Sequence, residues 1–269
     1  MEKQTDWLLI DGSYYVFYRF YALINWYKLA KKEELDNPIE NAEFVEKFKS
    51  TFLAKIKEIQ KKLKLKDPYI LVGRDCPREK IWRMKYLSSY KKNRVYDDSF
   101  KGGPFFKLTY NEELFKKGGA HKILMYPELE ADDCLAIISN KILKAFPNAN
   151  INIITSDMDY LQLACDNIKL YDLKYKNLCD RKSSFKNAEK DLFVKIVTGD
   201  KSDNIKGVFK KCGPKTACKY FENRELFEKK LKEEEGAMER YLLNKKIIDF
   251  NEIPDDLVKN FIEEYKFNC

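Results

Sequence analysis

Four apolar runs in this chain lead into carboxylates, and that limits the fold more than any other feature. Trp7-Leu8-Leu9-Ile10 leads to Asp11-Gly12, and Tyr69-Ile70-Leu71-Val72 to Gly73-Arg74-Asp75. Lys122-Ile123-Leu124-Met125 leads to Glu130-Ala131-Asp132-Asp133, and Ile151-Asn152-Ile153-Ile154 to Asp157-Met158-Asp159. A fifth run, Ile168-Lys169-Leu170-Tyr171, follows soon after. Short continuous apolar runs read as strands buried on both faces, and helical segments between them make βαβ units. Asn41 to Leu65 carries Phe44, Val45, Phe48, Phe52, Leu53, Ile56, Ile59 and Leu63 at a helical period. Further helices are expected from Ala131 to Phe146, from Asp191 to Val197 and from Lys215 to Phe221, and after Ser13 one that carries Tyr14, Tyr15, Tyr18 and Phe20. Residues 222–269 read as charged amphipathic helices packed on the core. The expectation is an α/β fold with a mostly parallel sheet flanked by helices.

In an open parallel sheet the carboxyl ends of the strands share one edge, where ligands bind. Asp11, Asp75, Glu130, Asp132, Asp133, Asp157 and Asp159 would converge there. Asp200 and Asp203, in the turn Gly199-Asp200-Lys201-Ser202-Asp203-Asn204, would join them. So many like charges in one place require cations. Oxygen donors suit hard Mg²⁺ or, in its place, Mn²⁺. Two such ions about 3.5–4 Å apart are the usual device for phosphodiester hydrolysis. Any one of these acids alone reads better as a helix cap or turn residue, and Asp191 is expected to be an example. The whole set at strand ends does not read that way.

Other chemistries find little support. His121 is the only histidine, and it precedes a strand, where a structural role fits best. Cys76, Cys134, Cys165, Cys179, Cys212, Cys218 and Cys269 are scattered and form no Cys-x-x-Cys pair, which argues against zinc and against a disulfide framework. No apolar run is long enough to cross a membrane, and Met1 to Asp6 does not resemble a secretory signal. A soluble intracellular protein is expected, and the lysine-rich usage is compatible with a viral or phage origin. The net charge of +8 suits a polyanionic partner, although lysine bias alone would produce it.

The order and spacing of the motifs resemble the 5′-nuclease superfamily: flap endonucleases, bacteriophage 5′-exonucleases and the 5′-nuclease domain of bacterial DNA polymerase I. The resemblance is carried by Leu9-Ile10-Asp11-Gly12-Ser13, Trp82-Arg83 with Tyr90-Lys91-Lys92-Asn93-Arg94, Glu130-Ala131-Asp132-Asp133, Thr155-Ser156-Asp157-Met158-Asp159, and Gly199 to Ile205 with Gly207-Val208. It implies a PIN-like nuclease core over 1–190 with a helical arch at about 78–120. A helix–three-turn–helix duplex-binding element over 191–222 and a C-terminal helical tail over 223–269 would follow. Asp11, Asp75, Glu130, Asp132 and Asp133 would hold a first metal. Asp157, Asp159, Asp200 and Asp203 would hold a second. Lys91, Arg94 and Arg83 would stand at the base of the arch as catalytic cations, Lys91 on the scissile phosphate. Arg19, Tyr90 and Lys92 would contact DNA. So would Lys201, Lys206, Lys210, Lys211, Gly213, Lys215 and Thr216, which give backbone affinity without sequence readout. Relatives hold a monovalent cation such as K⁺ in a Gly-Val-x-Gly-Ile-Gly turn. Here the turn is Gly207-Val208-Phe209-Lys210-Lys211-Cys212-Gly213, one residue longer and without the middle glycine, a departure that bears on that cation.

The resemblance implies a monomer that cuts 5′-flaps, single-strand/duplex junctions or nicked duplex in replication or repair, with an RNA primer in an RNA–DNA hybrid as a further substrate. Phe100, Phe105 and Phe106 fall in the arch interval, and either core packing or DNA contact suits them. The alternatives are a PIN-like RNA-directed nuclease, a DNA-binding relative without catalysis, and a resolvase-like junction nuclease. Phe261, Tyr265 and Phe267 are not spaced like a sliding-clamp motif, so clamp binding is not expected.

Overall fold

The apolar runs become strands because both of their faces are covered. In the computed structural model, which describes residues 6–32, 34–94 and 99–266, five strands pair in the order β3-β2-β1-β4-β5. They are β1 (Asp6–Asp11), β2 (Tyr69–Gly73), β3 (Lys122–Leu124), β4 (Asn150–Ile154) and β5 (Ile168–Tyr171). Every pairing is parallel. Leu8, Ile10, Ile70, Val72 and Ile154 enter one apolar layer, while Trp7, Leu9, Leu71, Ile151 and Ile153 enter the other. Alternate side chains of a strand leave on opposite faces. With both faces apolar, the two-residue alternation disappears from the sequence.

The first layer holds α1 (Gly12–Lys31), α2 (Ala42–Lys62), α3 (Gly103–Asn111) and α4 (Leu114–Lys117). Along α2, Phe44, Phe48, Phe52, Ile56 and Ile59 are buried, and Asn41 caps its start by accepting from the Phe44 amide at 2.9 Å. The other face carries α5 (Ala131–Ala145) and α10 (Asp255–Tyr265), joined through Leu135, Ile138, Leu257 and Phe261. A third cluster, around Phe193, Val197, Phe227 and Ala237, unites α6 (Ala188–Thr198), α7 (Pro214–Glu222), α8 (Arg224–Glu233) and α9 (Ala237–Ile248). The expected C-terminal helices therefore divide between two places: α8 and α9 against α6 and α7, and α10 against α5.

Two expectations need correction or an answer. Of the two roles expected for Asp191, cap or turn residue, it does not take the cap: Asn187 caps α6 by accepting from the Lys190 amide at 2.9 Å. The Asp191 carboxylate turns back to the Phe185 amide at 2.9 Å and the Ser184 hydroxyl at 3.0 Å. In the interval expected to form an arch, short 3₁₀ turns span Arg78–Lys80 and Trp82–Lys85. Then α3 packs down on α1 and α2, with Phe105 buried among Phe20, Phe44 and Phe48. Val95 to Asp98, in the middle of that interval, lie outside the described residues, as do Phe267 and Cys269.

The sheet order reverses between β1 and β4. The chain leaves β1 for β2 on one side and later returns to β4 on the other. In doubly wound sheets the ligand crevice opens at this switch, beyond the carboxyl ends. Asp11 ends β1 there, and Asp157 follows β4.

Candidate active site

Asp11 both ends β1 and caps α1. One oxygen accepts from the Tyr14 amide at 3.0 Å and the other from the Thr155 hydroxyl at 3.1 Å. The strand-to-helix turn needs Gly12, because a Cβ there would lie 2.5 Å from the Gly73 carbonyl oxygen. Asp75 accepts from the Ala131 amide at 2.9 Å and from the Ser13 hydroxyl, which ties it to the starts of α5 and α1. Glu130 caps α5 in a capping box whose return bond runs from the Glu130 amide to Asp133 at 3.0 Å. Asp11, Asp75, Glu130, Asp132 and Asp157 line one crevice of about 310 Å³, with Lys91 and Arg94 among its walls.

Charge is distributed unevenly among these acids. Basic side chains pair with Glu130, Asp133, Asp159, Asp200 and Asp203. Among the described residues none pairs with Asp11, Asp75, Asp132 or Asp157. Burial, with Asp75 and Asp157 beside it, pushes Asp11 up to about 7. Burial together with Asp133 and Glu130 pushes Asp132 well above the usual carboxylate range. An uncompensated set of oxygen donors fits a hard divalent cation, and no sulfur or imidazole donor belongs to it. Two groups bring one oxygen from each member within 4.8 Å of one another: Glu130, Asp132 and Asp133, and Asp159, Asp200 and Asp203.

The second group holds a residue that the sequence reading missed. Lys195, in the last turn of α6, places its ammonium 2.5 Å from Asp159 and 2.5 Å from Asp200. Burial and Asp157 push Asp159 up to about 6 against the pull of that ammonium. Asp200 is held down to about 2: burial opposes this, but Lys195 and the Ser202 hydroxyl and amide outweigh it. Gly199 closes α6 at φ +69°, and a Cβ there would lie 2.5 Å from the Ile205 carbonyl oxygen, so the turn that presents Asp200 and Asp203 depends on it.

The basic run expected to face substrate splits in two. Arg83 is 2% exposed. Its guanidinium forks onto Asp133 at 2.7 Å on both arms, reaches Glu130 at 3.0 Å and donates to the Ile247 carbonyl at 2.7 Å. Tyr90 is 3% exposed, its hydroxyl 3.1 Å from Glu130 and 3.4 Å from Asp203. Neither reaches a surface where substrate could touch it, so both expectations are corrected to buried braces. Trp82 is buried as well and donates to Asp133 at 3.0 Å, so both Asp133 oxygens are engaged by the protein.

Lys91 and Arg94 do reach the crevice. Lys91 has a left-handed backbone, φ 55°, with its amide on the Asp203 carbonyl at 3.0 Å. Its ammonium bonds Glu130 and lies 3.8 Å from Asp203. Burial alone would lower its pKa, but Glu130, Asp132 and Asp203 reverse that and hold it above its usual range. Arg94 bonds Asp203, and Lys92 beside it is exposed. Arg19 is not in the crevice; it lines a groove with Trp26, Lys47 and Lys55. Lys201, Lys206, Lys210, Lys211 and Lys215 are exposed around the α6–α7 loop, with Gly213 at the start of α7 and Thr216 half-buried in its first turn. In that loop the Val208 carbonyl accepts from Arg240 at 2.7 Å and the Lys206 carbonyl from Asn244 at 2.7 Å.

Solved structures similar in fold include bacteriophage T5 proteins. The bacteriophage T5 D15 protein co-crystallised with metal ions superposes with a TM-score of 0.67, covering 96% of this chain and 97% of that one at 17% identity. A T5 flap endonuclease complex with DNA and metal ions gives 0.68 over the same shares at 17% identity. At that identity the likeness speaks to the fold. In sequence, a 5′-3′ exonuclease of Buchnera aphidicola subsp. Acyrthosiphon pisum is 30% identical over 220 residues, 80% of this chain and 69% of the relative. A protein of Enterobacteria phage T4 named ribonuclease H is 27% identical over 71% of this chain and 67% of its own length. Residues 6–189 match the family described as 5′-3′ exonuclease, N-terminal resolvase-like domain. More than half of the chain lies inside that match, so the chain belongs to the 5′-3′ exonuclease family.

Proposed function

We propose that this protein is a Mg²⁺-dependent, structure-specific 5′-nuclease acting on DNA in replication or repair. Its substrates would be 5′-flaps, single-strand/duplex junctions and nicked duplex, and Mn²⁺ would replace Mg²⁺. The observation that carries the reading is the crevice at the sheet's switch point, where, among the described residues, Asp11, Asp75, Asp132 and Asp157 have no basic partner beside Lys91 and Arg94.

Asp11, Asp75, Glu130, Asp132 and Asp157 would hold one divalent ion, and Asp159, Asp200 and Asp203 would share the second with Asp157. Ions bound there supply an ionised water and a counter-charge for the leaving 3′ oxygen. Asp133 would act through Glu130 and Arg83, since its oxygens are already taken. Lys91 would bring a fixed positive charge to the scissile phosphate, where negative charge builds in the transition state. Residues 191–222 would grip duplex backbone through exposed lysines and the α7 N-terminus. The protein would work as a monomer. The name of the phage T4 relative favours a second reading of the same site, in which the strand cut is an RNA primer paired to DNA.

The test is cleavage of a labelled 5′-flap duplex with Mg²⁺, with EDTA, and by Asp157→Ala and Asp203→Ala variants. Metal-dependent cutting near the junction, lost in both variants, is the expected result. Tight flap binding with no cutting of flap, single strand or RNA would leave a DNA-binding protein without catalysis.

A further inference from the structure

Helix α1 separates two hollows. Ser13, Tyr14 and Phe17 line the crevice, whereas Arg19, Ala22 and Trp26, further along the same helix, line a groove of about 200 Å³ against Lys47, Thr51 and Lys55 of α2. At 3.6 residues per turn the two sets leave α1 on opposite flanks. The groove is basic. Lys55 is paired with Glu58 at 2.5 Å, but among the described residues no carboxylate pairs with Arg19 or Lys47. The Arg19 Nε–H is buried without a hydrogen-bond partner, which is unfavourable for a charged group. The Lys47 ammonium stands 5.2 Å from the centre of the Trp26 ring. Trp26 is 44% exposed, while the other two tryptophans, Trp7 and Trp82, are buried. Unpaired cations beside an exposed aromatic ring suit single-stranded nucleic acid, where cations meet phosphates and the ring meets the face of a base. An acidic peptide would use the cations and leave the indole without a planar partner.

We propose, on the reading of the protein as a nuclease acting on DNA, that this groove is a second, non-catalytic site that holds single strand outside the crevice. Arg19 and Lys47 take phosphates and Trp26 stacks on a base. Bases in a duplex are stacked on one another and offer Trp26 no free face, so the groove prefers single strand. Such contacts give affinity without sequence readout.

The experiment is run in EDTA, where no strand is cut. Tryptophan emission and anisotropy are followed as labelled oligothymidylate, blunt duplex or polyglutamate is added to wild type, to Trp26→Ala and to the double variant Arg19→Gln, Lys47→Gln. Oligothymidylate is expected to quench wild-type emission, and duplex to quench it less. Trp26→Ala should abolish the quench and bind oligothymidylate about tenfold more weakly. The double variant should lose about 1.4 from the slope of log affinity against log salt, about 0.7 for each phosphate contact. Lys47→Gln alone, a change at an exposed side chain, should lose half of that. Equal affinity, quench and salt slope in every variant would overturn the groove. Flap cutting with Mg²⁺ that Asp157→Ala abolishes would then leave the proposed function standing. Quenching by polyglutamate and not by oligothymidylate would assign the groove to an acidic protein and overturn the proposal. If wild type neither binds nor cuts oligothymidylate or flap, both readings fall together.

Discussion

At the scale of single residues, Lys91 is the sharpest case. Its strained backbone, its amide bond to Asp203 and its contact with Glu130 fix one ammonium at the crevice rim. Strain of this kind persists where the surroundings over-determine it and clusters at functional sites. In the proposed function a charge so placed would favour the transition state over the ground state, so Lys91→Ala should lower kcat by about 10²–10³-fold with KM little changed. Steady-state kinetics on a flap substrate check it; a raised KM with unchanged kcat would mean that Lys91 only binds. The carboxylates were legible in the sequence because strand ends fix their place and Asp11-Gly12 announces a tight turn. Arg83 and Tyr90 were not. From Arg78 to Arg94 basic and aromatic residues look alike, and what buries Arg83 is Asp133 and Ile247, 50 and 164 residues further along. Lys195 was missed for a related reason: among Leu192, Val194 and Ile196 it reads as a solvated lysine, and only the fold brings Asp159 to it.

At the scale of elements, strands and long helices were legible because burial on two faces or one stripe leaves its period in the residues. The α6–α7 loop was legible only as a departure from the family pattern. Its physical content is a substitution of donors. The Val208 and Lys206 carbonyls of the longer turn accept from Arg240 and Asn244 at 2.7 Å each, which braces the loop from within the protein. A guanidinium supplies the positive charge and an amide the second donor, both from α9. The loop should therefore hold its shape without potassium. Exchanging K⁺ for Na⁺ or tetramethylammonium at constant ionic strength should leave affinity for duplex DNA unchanged in a fluorescence-anisotropy titration. A clear fall in affinity without K⁺ would show that the longer turn still takes the cation.

At the scale of the whole molecule, the crevice carboxylates concentrate unfavourable charge that protonation relieves and that a bound divalent ion would relieve in the opposite pH range. Asp11 is raised to about 7 and Asp159 to about 6, and Asp132 is raised as well. Each is more readily protonated in the folded chain than in the unfolded one. Their stabilising contribution is therefore complete below the ordinary carboxylate range, near pH 4, and is lost as pH rises through 6 and 7. Asp200, held at about 2, and Glu130, held low by Lys91 and Arg83 against burial, act oppositely, but only below about pH 4. Between pH 5 and 7 the raised acids decide the slope. In EDTA the melting temperature should climb by a few °C as pH falls from 7 to 5. Divalent ions require the ionised acids, so the gain in melting temperature on adding Mg²⁺ should grow across the same interval as pH rises. Asp11→Asn should flatten the curve in EDTA and weaken the metal response together, because one carboxylate contributes to both. A flat curve in EDTA with wild-type metal response would mean that the crevice relieves its charge by another route.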